Sequence, residues 1–197
     1  MSATDLAKRL TFDPKEHRYE LDGRFIPSVT QVLDDVGLKT FPDFVKDREW
    51  YADRGSKVHK ACHLLDIDDL NPKTVDPKIQ GYIRAYSNAK REMGFTVVET
   101  EMSVVNEAFW YAGTLDKFVV LKDGKTGIID LKCGAKNDGD CLQTAGYAYA
   151  FGDPYGMERM GLYLREDGSY FPDHHDDASD ITVFQSACNV YHRKYRR

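Results

Sequence analysis

The sequence has few of the features that announce a class of protein on their own. Its four cysteines lie far apart without a CxxC pair, which argues against a zinc ribbon, an iron–sulfur cluster or a disulfide framework and fits a reducing compartment. No segment approaches the roughly 18 apolar residues of a membrane span, and the first residues lack the apolar run of a signal peptide. We therefore expect a cytoplasmic protein without a membrane partner.

Two further absences concern nucleotides and nucleic acids. The chain has no GxxxxGK[ST] phosphate loop, so it is not expected to power its own translocation. It also has no excess of basic residues, since its net charge is −5. A site built from carboxylates is acidic by construction, however, and the tail over 191–197 is strongly basic, so the net charge does not exclude a nucleic-acid partner.

What is present is the composition of an ordinary globular protein. With 197 residues, 42% of them hydrophobic and 30% charged, the chain can bury one core and is short for two. We interpret residues 1–197 as a single domain, with an N-terminal hairpin and helices over 10–94 and a core carrying the chemistry over 95–197.

Turn and cap residues divide the chain into elements. An Asp22-Gly23 turn predicts a hairpin within 10–26, and Ser28 and Gly37 are typical of the start and end of a short helix. Further helices are predicted over about 43–65, 76–93, 140–151 and 179–195. Strands are predicted over 95–105, 111–133 (a hairpin), 158–165 and 169–171, followed by a loop over 172–177. This order predicts an α/β fold with a central mixed sheet flanked by helices.

The most informative stretch is the central hairpin, which joins Gly113-Thr-Leu-Asp116 to Ile128-Ile-Asp-Leu-Lys132. Side chains alternate along a strand, so Asp130 and Lys132 point to the same face. Asp116 lies on the same face only if its cross-strand partner is Asp130 or Lys132. The numbers of two residues paired across this hairpin must then have an even sum. A two-residue Asp123-Gly124 turn gives odd sums, so the hairpin should have a three-residue loop or a bulge, with positive φ at Gly124.

Two carboxylates and a lysine on one face form a costly cluster unless a ligand uses them. A divalent metal ion is such a ligand, with the ammonium placed to meet a phosphate or an attacking water. Gly113 and the small Thr114 would leave room for that ligand to approach. The alternative is a surface hairpin whose charged residues face water.

The same residues resemble a known family. Gly-Thr-Leu-Asp followed by Ile-Ile-Asp-Leu-Lys resembles the core of the PD-(D/E)xK nuclease superfamily, and Arg54-Gly-Ser-Lys-Val-His59 resembles the RG-x-x-x-H element of its RecB-like branch. Leu142-Gln143-Thr-Ala-Gly-Tyr147 is similar to the QxxxY helix of that branch. Phe25-Ile-Pro-Ser-Val-Thr30 is similar to a segment of phage-encoded RecB-type exonucleases and of the mitochondrial genome maintenance exonuclease. The resemblance spans roughly residues 12 to 150 and implies a restriction-endonuclease-like fold.

The resemblance also implies roles for the site residues. Asp116 and Asp130 would bind one or two Mg²⁺ or Mn²⁺ ions, with the Leu131 carbonyl as a further ligand. His59 would be a ligand or would contact one, and Lys132 would stabilise charge on the phosphate or help position and deprotonate the attacking water. An additional acid on the preceding strand is either Glu101 or Glu99, and the sequence leaves that choice open.

Residues that would contact the substrate each have a plainer alternative. Gln143 and Tyr147 would bind DNA or brace the site, or else pack as an ordinary helix face. Arg54 and Lys57 would contact phosphates or form a solvated helix start, and Ser28 and Thr30 would contact phosphate or only cap a helix. His63 is interpreted as packing or surface. The run His174-His175-Asp176-Asp177 is interpreted as a solvated turn.

Together these features lead us to expect a Mg²⁺- or Mn²⁺-dependent deoxyribonuclease that hydrolyses DNA by in-line attack of water. The resemblance favours an exonuclease of phage or bacterial origin, acting in DNA recombination or repair or in phage DNA processing in the host cytoplasm. Any single-strand annealing or recombination partner would be a separate protein, and the oligomeric state stays open. The alternatives are a non-catalytic DNA-binding or scaffold protein on the same fold, and a metal-dependent endonuclease, ribonuclease or other phosphoesterase.

Overall fold

The protein has an α/β fold in which helices flank a mixed sheet, as the sequence predicts. The structure is a computed structural model that describes residues 9–39 and 48–195. The strands within these residues are β1 (Leu10–Asp13), β2 (Arg18–Leu21), β3 (Arg24–Ile26), β4 (Thr96–Asn106), β5 (Tyr111–Val120), β6 (Thr126–Lys132), β7 (Glu158–Leu164) and β8 (Tyr170–His174). The helices are α1 (Val29–Asp35), α2 (Arg48–Asp66), α3 (Gln80–Met93), α4 (Asp140–Phe151) and α5 (Ser179–Tyr195).

The larger sheet has the order β4-β5-β6-β7-β8 and is antiparallel except for the parallel pair β6 and β7. Alternation along β6 sends Ile128 to one hydrophobic cluster and Ile129 to the other. Helices α2 and α3 contribute to the cluster around Ile129, and helices α1, α4 and α5 to the cluster around Ile128. The central strand is therefore covered on both faces, as its apolar sequence requires.

The predicted N-terminal hairpin is confirmed and gains a third strand. Asp22 and Gly23 both have positive φ, and Leu21 pairs with Arg24 across them, which is the geometry of a two-residue type I′ turn. The Ser28 hydroxyl accepts the Gln31 amide and caps α1. A bond of 2.9 Å from the Ala112 amide to the Pro27 carbonyl ties this segment to β5.

The predicted register of the central hairpin is confirmed. Lys117 pairs with Ile129 and Val120 with Thr126, so the paired numbers have an even sum. The Leu121 amide donates to the Lys125 carbonyl, which leaves a three-residue loop over 122–124, and Gly124 has φ 87°. The same register, continued by one step, sets Asp116 beside Asp130.

Other element boundaries agree with the sequence, with two differences. The predicted helix over 76–93 is a 3₁₀ turn, Pro77–Ile79, followed by α3, and Pro77 holds a first-turn position where its missing N–H costs no helical bond. The predicted loop over 172–177 was wrong in its first half, because β8 pairs with β7 as far as His174. The predicted start of the helix over 43–65 lies outside the described residues.

None of the helices within residues 9–39 and 48–195 is both long enough and apolar enough to cross a bilayer.

Candidate metal centre

Three side chains from three different elements bring their donor atoms to one point. His59 of α2, Glu101 of β4 and Asp116 of β5 each offer an atom that lies within 4.8 Å of the other two. The His59 Nδ1 is 3.1 Å from Asp116 Oδ1. Imidazole and two carboxylates are donors that suit Mn²⁺, while Mg²⁺ prefers the oxygens alone. This donor set therefore fits a hard divalent cation.

Glu101 joins this site because β4 is irregular beside it. The register of β4 against β5 shifts between Val97 and Glu99, and Glu101 has φ 53° in the left-handed region that disfavours residues with a side chain. Such a conformation costs on the order of 1–3 kcal/mol and persists where surrounding contacts impose it, often at functional sites. Of the two acids that the sequence left open, Glu101 is the one at the site, and Glu99 pairs with Phe118.

The electrostatics of the site favour a positive charge between the acids. Burial alone would lower the pKa of His59, but the charge and hydrogen bond of Asp116, with the charges of Asp130 and Glu101, together outweigh it and raise that pKa to about 9. Glu101 is exposed to solvent on one side, and partial desolvation of its carboxylate beside the site, together with the neighbouring Asp116, raises its pKa. The imidazolium of His59 thus provides the counter-charge in this structure, and a divalent cation would provide it with release of a proton.

Asp116 is fixed by the backbone of the neighbouring strand. Its Oδ2 accepts the Leu131 amide at 2.6 Å, where the β5–β6 ladder has ended, and its Oδ1 faces His59. Although burial favours the neutral acid, the His59 charge and the Leu131 amide lower the pKa of Asp116. The predicted role of the Leu131 carbonyl as a ligand stays a prediction, and what the structure shows of Leu131 is this amide contact.

Asp130 and Lys132 lie on one face, as predicted, and form an ion pair with each other. The Asp130 side chain is buried, and burial together with Asp116 raises its pKa. Burial opposes the charge of Lys132, but Asp130 and Asp140 outweigh it and raise the lysine's pKa. In this structure the carboxylate of Asp130 contacts the lysine, so its assignment as a metal ligand remains a prediction.

The structure adds two residues that the sequence did not single out. Asp140, the first residue of α4, accepts Lys39 Nζ at 2.6 Å, lies 3.3 Å from Lys132 Nζ and also accepts the Tyr163 hydroxyl at 2.6 Å. Burial would raise the pKa of Asp140, yet the two ammonium groups lower it to about 2. From the sequence, Asp140 could be recognised only as the start of a helix, and nothing marked Lys39 as a residue of the site.

The QxxxY residues form one connected group. Gln143 Oε1 accepts Lys132 Nζ at 2.9 Å and also contacts Lys39, while Gln143 Nε2 donates to the Tyr147 hydroxyl at 2.8 Å. Both side chains are buried, and in this structure Gln143, supported by Tyr147, braces Lys132. Their role in binding DNA remains a prediction.

One expectation about Gly113 was wrong. The space beside it does not serve a ligand, because a Cβ there would lie 2.7 Å from a ring carbon of Tyr147. Thr114 is engaged as well, through a 2.7 Å hydrogen bond between its hydroxyl and that of Tyr19. The absence of a side chain at Gly113 thus leaves space for the Tyr147 ring of α4.

The remaining predicted substrate contacts have protein partners in the structure. Arg54 Nη2 donates to the Cys133 carbonyl at 2.6 Å, and its guanidinium lies about 5 Å from the rings of Trp50, Tyr51 and Tyr82. Lys57 pairs with Asp53 on the helix surface. Ser28 is buried and caps α1, and Thr30, in the first turn of that helix, is partly exposed. Their predicted contacts with phosphate stay predictions.

Two histidines outside the site were also assigned from the sequence. His63 is packed, with Nδ1 3.3 Å from the Thr100 hydroxyl, as expected. The prediction that 174–177 form a solvated turn was wrong for His175, which is 6% exposed and contacts the Thr144 hydroxyl at 2.8 Å. It is buried because β8 continues far enough to bring it against α4.

Comparisons with known proteins add little to this geometry. No family model and no curated protein matches the chain. Among solved structures, the chain is similar to one titled "Crystal structure of SSO0001", with 13% sequence identity and a TM-score of 0.41 over 85% of this chain and 75% of the other. A likeness at that level carries no argument about function.

Proposed function

We propose that this protein is a metal-dependent deoxyribonuclease of the restriction-endonuclease-like fold, related to the RecB-like branch of the PD-(D/E)xK superfamily. The observation that carries the proposal is the convergence of donor atoms of His59, Glu101 and Asp116 within 4.8 Å. Strand β6, which pairs with the strand that carries Asp116, carries Lys132. Acids from two strands and an imidazole from a helix fit a divalent cation, and an ammonium nearby fits the phosphate that such a cation would share.

The buried ionic contacts support a chemical role for Lys132. Its ammonium contacts Asp130, Asp140 and Gln143, so its position is fixed from several sides. Placing an ammonium and several acids in such a site is costly, and a merely structural hairpin gains nothing from it. The geometry therefore favours a site that stabilises developing negative charge.

Each residue has a role in the proposed reaction. His59, Glu101 and Asp116 would bind Mn²⁺ or Mg²⁺, which supplies Lewis-acid polarisation of the phosphate and activation of water when bound. Lys132 stabilises charge on the phosphate, and Gln143 and Asp140 hold its ammonium in place. Asp130 orients Lys132 and takes part in metal binding where a second ion is present. The resemblance to exonucleases favours hydrolysis from a strand end.

The test is hydrolysis of end-labelled single- and double-stranded DNA, RNA and a small phosphodiester, with Mn²⁺, with Mg²⁺ and with EDTA. We expect DNA cleavage that requires the metal. Lys132→Ala should lower the rate by at least 10²-fold, the scale of losing one electrostatic stabiliser. Its far-ultraviolet circular dichroism and Mn²⁺ affinity should be retained.

The matched control is Lys136→Ala, a lysine four residues further along the chain that pairs with Asp173 at the surface. It should cleave like the wild type. Equal rates for Lys132→Ala and wild type would refute the assignment of the site. Binding of DNA by the wild type without any metal-dependent cleavage would favour the non-catalytic alternative.

A further inference from the structure

A buried network of polar side chains lies beside the metal centre. Lys117 and Asp66, whose side chains are 0% and 1% exposed, form an ion pair of 2.9 Å. Lys117 Nζ also donates to the Thr100 hydroxyl at 2.7 Å. The Thr100 hydroxyl then contacts His63 Nδ1 at 3.3 Å. This arrangement lets the hydroxyl accept from the ammonium and donate to a neutral imidazole.

Each end of this network is next to a candidate metal ligand. Thr100 precedes Glu101, and Lys117 follows Asp116. His63 and Asp66 lie four and seven residues after His59, which places all three on the same side of α2. The network thus connects the three elements that carry the donors of the metal centre.

Thr100 lies at the junction of these contacts. It pairs with Lys117 in the shifted register after the β4 bulge, and the next residue is the one with left-handed backbone. A conformation that disfavours a side chain persists only where its surroundings impose it. The bond from the fully buried ammonium of Lys117 to Thr100 is a contact able to impose it, because a buried donor that loses an acceptor is costly.

We propose that Thr100 is a positioning residue of the metal centre. Through Lys117 and His63 it fixes the β4 backbone against β5 and α2, and thereby brings Glu101 into the group formed with His59 and Asp116. This inference rests on the metal centre of the proposed function. It predicts that metal affinity depends on a hydroxyl that does not itself contact the metal.

The test compares Thr100→Val, which keeps the shape and removes the hydroxyl, with Thr100→Ser, which restores it. Mn²⁺ affinity is measured by the loss of the free-ion electron paramagnetic resonance signal, without DNA. We expect Thr100→Val to weaken Mn²⁺ binding roughly 10–100-fold, the range found when a residue that orients a metal ligand is removed. Thr100→Ser should bind Mn²⁺ like the wild type.

Tyr86→Phe is the matched control for a merely structural effect. The Tyr86 hydroxyl donates to the same Asp66 at 2.8 Å from α3, without a bond to Thr100. This variant also loses one buried hydrogen bond to the network, so its thermal stability should fall as that of Thr100→Val does, while its Mn²⁺ affinity should not change. Equal Mn²⁺ affinities for Thr100→Val and wild type, or equal weakening in both variants, would overturn the proposal.

Two further outcomes have separate meanings. If Thr100→Val does not fold, His63→Leu tests the same junction without depriving the buried ammonium of an acceptor, and it should also weaken Mn²⁺ binding; an unchanged affinity would contradict the proposal. If the wild type itself binds no Mn²⁺, the metal centre of the proposed function is wrong. If the wild type binds Mn²⁺ and the variant binds it equally well, only the role of Thr100 is wrong.

Discussion

Replacing Glu101 by glycine should make the metal-free protein more stable and weaken its affinity for a divalent metal. Glu101 has φ 53°, and a residue with a side chain loses roughly 1–2 kcal/mol in that conformation, whereas glycine does not. Glycine within a strand costs about 0.5–1 kcal/mol in chain entropy, which offsets part of the gain. Partial desolvation and the charge of Asp116 raise the pKa of Glu101, but the residue is exposed, so removing its charge adds little to this balance.

The net change in the free energy of unfolding should be an increase on the order of 0.5–1 kcal/mol in EDTA. For a chain of this length, 1 kcal/mol corresponds to a rise in Tm of about 2–4 °C. The assay is thermal unfolding in EDTA and in increasing Mn²⁺. A metal that binds only the folded state adds about 2.7 kcal/mol at 100 times its Kd, so wild-type Tm should rise with Mn²⁺ and that of Glu101→Gly should rise much less.

Glu99→Gly is the control, because Glu99, two residues away, pairs with Phe118 and does not have the positive φ of Glu101. It should lower the free energy of unfolding by about 0.5–1 kcal/mol and leave the response to Mn²⁺ unchanged. The reasoning would be refuted if Glu101→Gly were less stable than wild type in EDTA, or if Mn²⁺ raised its Tm as much as that of wild type.

Two other predictions concern the supports of the site. Gly113→Ala should lower the free energy of unfolding by about 1–3 kcal/mol in a urea titration, because its Cβ meets the Tyr147 ring at 2.7 Å, while Gly134→Ala, which meets nothing within 4 Å, should change little. The folded pKa of Asp140, about 2, is below its ordinary 3.8, so its contribution of about 2 kcal/mol is present above pH 3.8 and lost as the pH falls towards 2. Urea titrations across that window should show a shallower loss of stability in Asp140→Asn; equal slopes would contradict the assignment.

Local signals were sufficient for much of the fold. The sequence predicted α4 and α5 at their observed bounds. If Asp116 shares a face with Asp130 and Lys132, strand alternation requires a three-residue loop or a bulge at the central hairpin, and the structure has the loop. A shift of one residue would move Ile129 and Leu131 from one hydrophobic cluster to the other and would turn Asp130 away from Asp116. The position of Asp116 beside Asp130 follows from the same constraint.

The residues that the sequence did not reveal depend on tertiary contacts. Lys117 occupies a strand position like that of many surface lysines, and only the docking of α2 and α3 gives it a buried partner in Asp66. Lys39 reaches Asp140 across about a hundred residues of chain. The choice of Glu101 over Glu99 depends on a bulge, which no period-2 pattern contains.

The end of the β5–β6 ladder explains how the Asp116 carboxylate comes to face His59. Paired bonds run as far as Lys117 and Ile129, and beyond them the Asp116 side chain accepts the Leu131 amide that would otherwise lack a partner. One carboxylate oxygen is thereby held by the sheet, and the other is directed at His59. Because an oxygen already bonded to a backbone amide fixes the plane of the carboxylate, the second oxygen would meet a cation of the proposed centre without ordering a flexible side chain. The orientation of the Asp116 carboxylate is thus set by the sheet itself.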